Sequence, residues 1–454
     1  MRRYFGTDGI RRIANTELSP ELVYKVAKAG AYVLSKHTNK APTILIGRDT
    51  RLSGTLIESA MVAGFLSYGA NVKLLEVMPT PAVAYLTRKL QADASVVISA
   101  SHNTYEFNGI KYFSNKGMKI SDELEEEIEE VMDSGKLDEL SAVKDKIGVS
   151  EIKTELLDEY VYFFRKNFDD SIEKYNRPDF KVVIDTANGA TYKVAEQVFT
   201  TLGIKHEIIN NNPNGVNIND GCGSTHLEML KEYVIKNKMS LGIAYDGDGD
   251  RCLAIDENGE EIDGDKILAI IGNYLKEKGE LSKDTIVATV MSNLGLNKYA
   301  DKNNLHLIQT KVGDRYVLEE MLKNGYNLGG EQSGHVILLD YNPTGDGILT
   351  SLMLIKIILE SGKKTSELSN MMQKYPQVLI NAKVAQDKKY DYEKNAEIKT
   401  AIEKIETKFS GNGRVLIRPS GTEPVVRVML EGQDKNVLET EARKLCNLIE
   451  KHCK

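Results

Sequence analysis

Short apolar, β-branched runs alternate with amphipathic helical stretches along most of this 454-residue chain, and that alternation dictates α/β units built on parallel or mixed sheets. Strands are expected at 43–46, 72–77 and 95–99, with helices at 54–68 and 82–89 between them. A charged helix at 121–132 and a soft polar stretch at 134–150 close this first block. The acidic run at 123–130 reads as the solvated face of that helix. A second block opens with a helix near 155–168 and continues with strands at 182–185, 207–209 and 241–245. The third runs from about 264, with strands at 286–290, 306–309 and 336–339 and a long helix near 347–360. From about 374 the pattern changes to strands at 378–384, 415–417 and 425–430 with two helices, a small α+β domain. Three similar α/β domains (1–152, 153–253 and 254–373) plus a C-terminal α+β domain (374–454) are therefore expected. A faint echo supports triplication: the segments at 97–103, 183–189 and 287–293 each run an apolar strand into small residues and an Asn. Ligands of such sheets gather at the carboxyl ends of their strands.

The hexapeptide Asp246-Gly247-Asp248-Gly249-Asp250-Arg251 carries the strongest chemical signal. Three carboxylates at alternate positions repel one another, and a fold retains them mainly around a cation. In a flat strand the outer two would lie about 13 Å apart, at roughly 3.3 Å per residue. They reach one ion only if the backbone curls, which Gly247 and Gly249 permit. All-oxygen ligation favours Mg²⁺, with Ca²⁺ or Mn²⁺ open. Asp246, Asp248, Asp250 and Glu257 also fit an EF-hand calcium loop, but Arg251 stands where that loop needs Gly, and strands rather than helices flank it.

Four further segments carry polar chemistry. Ile98-Ser-Ala-Ser-His-Asn103 ends a predicted strand and offers a nucleophilic serine, Ser99 or Ser101, without the G-x-S-x-G of a hydrolase elbow. His102 is not expected to serve Ser101 as base, because consecutive strand residues point to opposite faces. Arg418-Pro-Ser-Gly-Thr-Glu-Pro424, with Arg427, forms a plausible phosphate cradle that lacks the G-K-[ST] of a P-loop. Gly329-Gly-Glu-Gln-Ser-Gly-His335 suits hydrogen bonding to sugar hydroxyls through Glu331 and Ser333, with His335 as a proton donor. Two arginine-bearing loops, Phe5-Gly-Thr-Asp-Gly-Ile-Arg11 and Gly47-Arg-Asp-Thr-Arg-Leu-Ser-Gly54, are compatible with an anionic substrate and with ordinary turns. Lys111 is an isolated cation in a strand-like run, by default a surface lysine.

Composition narrows the compartment and the partners. The net charge of −7 is spread along the chain without a basic block, which disfavours nucleic acid. Cys222, Cys252, Cys446 and Cys453 show no metal or C-x-x-C spacing and read as free thiols of a reducing compartment. The opening residues lack the apolar core of a signal peptide. The most apolar run, 352–359, is too short to span a bilayer and contains Lys356. A soluble, cytoplasmic protein is expected.

In this order, and over essentially the whole length, these elements resemble the α-D-phosphohexomutases. The opening FGTDGIR, the GGEQSGH loop, Asn217–His226 and Lys311–Val317 resemble the bacterial branch acting on glucosamine phosphates. The resemblance implies four domains around a central active-site cleft, the first three alike. It makes Ser101 the phosphoserine nucleophile and a ligand, through its phosphate, of one Mg²⁺ held by Asp246, Asp248 and Asp250. Glu331 and Ser333 fall at sugar-binding positions, and Arg418, Ser420, Gly421, Thr422 and Arg427 in the phosphate-binding loop. Lys111 and His335 match general acid/base positions and Arg11 an active-site arginine; Arg251, beside the carboxylates, and His102, beside Ser101, are expected as supporting residues. The implied activity interconverts glucosamine 6-phosphate and glucosamine 1-phosphate through a sugar 1,6-bisphosphate, which also serves as primer, and feeds amino-sugar nucleotide and peptidoglycan precursor synthesis. The implied partner is a small hexosamine phosphate, with no nucleic acid and no membrane; a homodimer stays open. Two positions depart from the family pattern: Arg12 replaces a usual Gly and Thr104 a usual Pro.

Overall fold

In a computed structural model of the protein, the structure is described at residues 3–6, 8–36, 40–175, 177–409, 411–420 and 424–454. The chain divides into two compact units, Met1–Val290 with His306–Asn370, and Met291–Leu305 with Met371–Lys454.

Three mixed sheets lie in the first unit, of six, five and four strands. The first contains Thr43–Arg48, Asn71–Val77, Ala94–Ile98 and Phe107–Ser114, flanked by Ile10–Ile13 and Ser150–Ile152. Val182–Asp185, His206–Ile209, Leu241–Tyr245 and Cys252–Asp256 form the second, with Glu261–Ile262 at its edge. Thr285–Thr289, His306–Thr310, Leu328–Gly330 and Val336–Leu338 make the third. Each sheet repeats one arrangement. The first strand of the set runs parallel to the second and to the third, and the fourth folds back antiparallel on the third. Parallel neighbours require a crossover, and helices such as Gly54–Tyr68 and Thr80–Lys89 supply it in the first sheet.

Triplication is thus written in the topology, but the sequence echo aligns unlike strands. The segment at 97–103 leaves the third strand of its set, whereas those at 183–189 and 287–293 leave first strands. An apolar strand ending in small residues is simply what the carboxyl end of any interior parallel strand looks like. The true equivalents are the tight connections between third and fourth strands, and they carry Ser101, the three aspartates and Glu331.

Burial explains the strand and helix sequences. Ile44, Ile46, Val96, Ile98 and Ile110 pack from the first sheet against Val23, Val26, Ile57 and Phe65 of the helices Pro20–Leu34 and Gly54–Tyr68. Each such side chain contributes about 1.5–3 kcal/mol when fully buried. Ser19 begins the helix Pro20–Leu34 by accepting from the Leu22 N–H, with Pro20 in the first turn where no amide donor is needed. The polar stretch at 134–150 forms only short 3₁₀ turns before the edge strand Ser150–Ile152.

In the second unit, Gln377–Lys383, Val425–Glu431 and Arg414–Pro419 form a three-stranded antiparallel sheet. The helices Ala396–Phe409 and Lys435–Cys453 supply the rest of its core. The helix Leu294–Lys302 belongs to this unit, and buried Glu431 holds its start: Leu294 N–H and Asn293 Nδ2 each donate to the carboxylate at 3.1 Å. All four cysteines are buried and unpaired, and no described helix is long and apolar enough to cross a membrane.

Candidate active site

Two hairpin-like connections of the first unit meet. Strand Leu241–Tyr245 ends where Asp246 begins, and the hexapeptide turns the chain into the antiparallel strand Cys252–Asp256. Gly249 takes φ +73°, which supplies the curl. Gly247 serves differently: a Cβ there would lie 2.5 Å from the Ser101 carbonyl oxygen, so glycine lets the aspartate loop abut the serine loop.

The curl works as the sequence predicted. One carboxylate oxygen from each of Asp246, Asp248 and Asp250 lies within 4.8 Å of the others, and all three residues are buried. Burial first, then Asp250 and Asp248, push the Asp246 carboxyl well above its ordinary range. Asp248 Oδ1 and Asp250 Oδ1 are buried with no hydrogen-bond partner among the described residues. Unpaired buried carboxylate oxygens are costly, and a hard divalent cation is the partner that suits an all-oxygen set. The residues fit Mg²⁺.

Of the two candidate serines, Ser101 is the one whose hydroxyl faces the aspartate cluster. It stands at φ +53°, an uncommon left-handed conformation for a non-glycine residue, and its Oγ donates to Asp246 Oδ2 at 2.7 Å. Ser99 Oγ instead donates to buried Asp49 at 2.6 Å and accepts from the Ser101 N–H at 2.9 Å, so it is scaffold. The left-handed turn also corrects the expectation for His102. Strand alternation no longer applies beyond Ile98, and His102 Nδ1 lies 3.3 Å from Ser101 Oγ. Burial, with Arg251 and Arg11 nearby, lowers the imidazole to about 4.

Lys111 is the opposite of a surface lysine. Its side chain is 2% exposed; Nζ donates to Asp248 at 2.8 Å and lies 3.3 Å from Asp8 and 3.9 Å from Asp250. Burial alone would lower its pKa, but Asp248, Asp8 and Asp250 outweigh it and hold the ammonium above the usual lysine range. His335 closes the other side, with Nδ1 3.5 Å from Asp250 and Nε2 accepting from the Gly345 N–H at 3.0 Å. Asp250 and Asp314 overcome burial to raise it. Arg251 reaches Asp250 at 4.0 Å, and its own N–H donates to Asp246 Oδ1 at 3.2 Å. Glu331, at the third connection, accepts from the Gly313 N–H at 3.2 Å, with Ser333 on the same loop. Its carboxyl is raised mainly by burial.

Arg11 faces Asn103 Oδ1 at 3.3 Å and Asp8 at 3.0 Å. Its strand neighbour Arg12 turns away, to the Arg3 carbonyl and over the Tyr4 ring, so the unusual residue there leaves the site alone. Thr104 contributes its main-chain carbonyl, which a proline would offer equally.

Several polar partners were not anticipated. Asp8 gathers Lys111, Lys119 and Arg11, and Lys119 bridges on to Asp314 at 2.7 Å. Thr80 Oγ1 donates to Asp248 at 2.7 Å. Asp8 and Asp314 do lie inside quoted motifs, whereas nothing in the sequence around Thr80 or Lys119 announces them.

In the second unit, Arg418 and Arg427 sit directly opposite each other on adjacent strands, and Lys389 Nζ donates to the Ser420 carbonyl at 3.0 Å. Gly421 and Thr422 lie outside the described residues.

Known proteins share both sequence and architecture with this chain. Residues 2–139, 158–259 and 263–375 match the family models for phosphoglucomutase/phosphomannomutase alpha/beta/alpha domains I, II and III, and residues 379–448 match the C-terminal domain. A phosphoglucosamine mutase of Clostridium acetobutylicum is 54% identical over 451 residues, 99% of each chain. One from Ruminiclostridium cellulolyticum is 53% identical over 450 residues, again 99% of each. Among solved structures, a phosphoglucomutase/phosphomannomutase family protein of Burkholderia thailandensis superposes with TM-score 0.80 at 21% identity, covering 100% of this chain and 99% of its own. Aspergillus fumigatus N-acetylphosphoglucosamine mutase, solved with GlcNAc-6P and magnesium, gives TM-score 0.67 at 17% identity over 100% of this chain and 96% of its own.

Proposed function

This chain belongs to the phosphoglucomutase/phosphomannomutase family, and from that premise we propose that it interconverts glucosamine 6-phosphate and glucosamine 1-phosphate by way of a phosphorylated Ser101. One observation supports the reading above the rest: Ser101 Oγ, strained into a left-handed turn, is aimed at a buried three-aspartate cluster 2.7 Å away.

Asp246, Asp248 and Asp250 would hold Mg²⁺, which when bound neutralises phosphoryl oxygens. The chain's own residues supply the remainder. A phosphoserine carries about −1.5 to −2 charges at neutral pH, and Lys111, Arg11 and Arg251 surround its position with positive charge. Transfer breaks the bond from phosphorus to Ser101 Oγ and forms one to the free sugar hydroxyl. The hydroxyl proton leaves to a base, and Ser101 Oγ regains a proton. Lys111 and His335, both in carboxylate contacts around the aspartate cluster, are the groups set to hold and release those protons. The resulting 1,6-bisphosphate then returns its other phosphate to Ser101 from the reversed pose. Glu331 and Ser333 would meet the sugar hydroxyls. Arg418, Ser420 and Arg427, with Gly421 and Thr422, would hold the phosphate that is not reacting. A sugar 1,6-bisphosphate primes the resting enzyme, and the setting is the cytoplasm, where the product enters amino-sugar nucleotide and peptidoglycan precursor synthesis.

Substrate choice is tested by assaying the 6-phosphates of glucosamine, glucose and mannose side by side with a bisphosphate primer. The expected order places glucosamine first in kcat/KM, the quantity that defines specificity. A higher value for glucose or mannose overturns the assignment of substrate. Label from a ³²P-bisphosphate that never appears on Ser101 overturns the covalent route.

A further inference from the structure

Arg51 lies in the turn after the strand Thr43–Arg48, and its side chain is wholly buried beside the equally buried Asp49. An arginine has five N–H donors and a permanent charge, so such burial is tolerable only when all are matched. Asp49 takes the charge and Nε, at 2.7 Å. The other four N–H groups go to main-chain carbonyls of the serine loop. Nη2 donates to Ser101 O at 2.9 Å and Asn103 O at 2.8 Å; Nη1 donates to Phe107 O at 3.1 Å and to Thr104 O. The sequence left this arginine-bearing loop open to an anionic substrate or an ordinary turn, and the guanidinium is spent on backbone.

Two other contacts pin the same turn. Asn219 Nδ2 donates to Ser101 O and Asn103 O, both at 2.9 Å. Asp49 also accepts from Ser99 Oγ, which receives the Ser101 N–H. Both main-chain polar groups of Ser101 are therefore fixed by side chains. A left-handed serine is strained and persists only where the surroundings over-determine it.

We infer that Arg51 is a positioning residue for phosphoryl transfer: its guanidinium, with Asn219, locks the Ser101 turn so that Oγ points at the aspartate cluster. The inference rests on the reading of Ser101 as the phosphoryl carrier. Lysine at position 51 keeps the charge for Asp49 but radiates three N–H groups from one atom, and it leaves loop carbonyls unmatched.

The test compares wild type, Arg51→Lys and Asn219→Ala as full-length, dephosphorylated proteins. The measurements are kcat and KM, the rate at which glucose 1,6-bisphosphate phosphorylates Ser101 (intact mass), and the thermal midpoint. Arg51→Lys, folded at the assay temperature, is expected to lose at least tenfold in both kcat and labelling rate with KM changed by less than threefold. Asn219→Ala is expected to move the same quantities in the same direction by about half that factor. A loss under fivefold in folded Arg51→Lys, or a loss that the unfolded fraction accounts for, overturns the inference. Should Arg51→Lys not fold, Asn219→Ala decides, because it leaves the Arg51–Asp49 pair intact; there a loss under threefold overturns it and a larger one at constant KM sustains it. Wild type that takes no phosphoryl group at Ser101 sinks the underlying reading, a result distinct from equal labelling of wild type and variant.

Discussion

Ser101 Oγ donates a 2.7 Å hydrogen bond to Asp246 Oδ2 across 145 residues of sequence. Each residue belongs to the connection between the third and fourth strands of its own sheet, and the Glu331 loop occupies that place in the next. One structural unit used three times thus carries Ser101, the three-aspartate cluster and Glu331 at equivalent positions. Chemistry has diverged where the topology has not, in keeping with the carboxyl ends of parallel strands as the site of function.

Replacing Ser101 with alanine separates catalysis from folding. Ser101→Ala loses the Oγ bond to Asp246, a net effect of about 1 kcal/mol, so its thermal midpoint is expected within a few degrees of wild type. Turnover should fall at least a thousandfold, about 4 kcal/mol of barrier. A coupled mutase assay beside a melting curve reads both, and retained turnover would contradict the phosphoserine.

Metal dependence follows from crowding in the aspartate cluster. Burial first, then Asp250 and Asp248, disfavour the ionised form of Asp246. Chelation should therefore lower the thermal midpoint and Mg²⁺ restore it, with about 2.7 kcal/mol gained at a hundredfold excess over Kd. Asp246→Asn relieves the repulsion while keeping an acceptor for Ser101. Its metal-free midpoint is expected to equal or exceed that of wild type, and its response to Mg²⁺ to vanish. A full Mg²⁺ response in the variant would remove Asp246 from the ligand set.

What could be read from residues alone was whatever local chemistry dictates. The strands Thr43–Arg48 and Leu241–Tyr245, the helix Gly54–Tyr68 and the curled aspartate loop follow from apolar runs and glycines, and all lie where expected. Long-range pairings left no local trace. Lys111 looks like any lysine until Asp8 and Asp248 are brought to it, and Arg51 could serve a substrate or a mere turn until the Ser101 loop folds over it. The placing of His102 on the opposite face failed because the strand already ends at Ile98 and Ser101 then turns left-handed, and no neighbour of Ser101 in sequence signals that turn.

Thiol reactivity offers a check on the packing. Burial raises the Cys222 thiol to about 12 and that of Cys446 to about 11, and raises Cys252 and Cys453 as well. Only the thiolate reacts, so at pH 8 the thiolate fraction at Cys222 and Cys446 is on the order of one in a thousand or less. The folded protein should resist a disulfide reagent at pH 8 over an hour, and all four cysteines should react in guanidinium. Rapid titration of even one thiol in the native protein would show that its site is open.

The C-terminal sheet sets Arg418 directly across from Arg427 in antiparallel register. Like charges so placed oppose one another, and the Arg418 guanidinium is lowered first by burial and then by Arg427. An anion between them would turn that cost into binding energy. Arg418→Gln is therefore expected to leave the thermal midpoint unchanged or raised in phosphate-free buffer. The same change should increase KM tenfold to a hundredfold, about 1.5–3 kcal/mol for a lost charged hydrogen bond, at nearly constant kcat, the pattern of lost uniform binding. Inorganic phosphate should raise the midpoint of wild type more than that of the variant. An unchanged KM together with an equal response to phosphate would show that the arginine pair does not hold substrate phosphate.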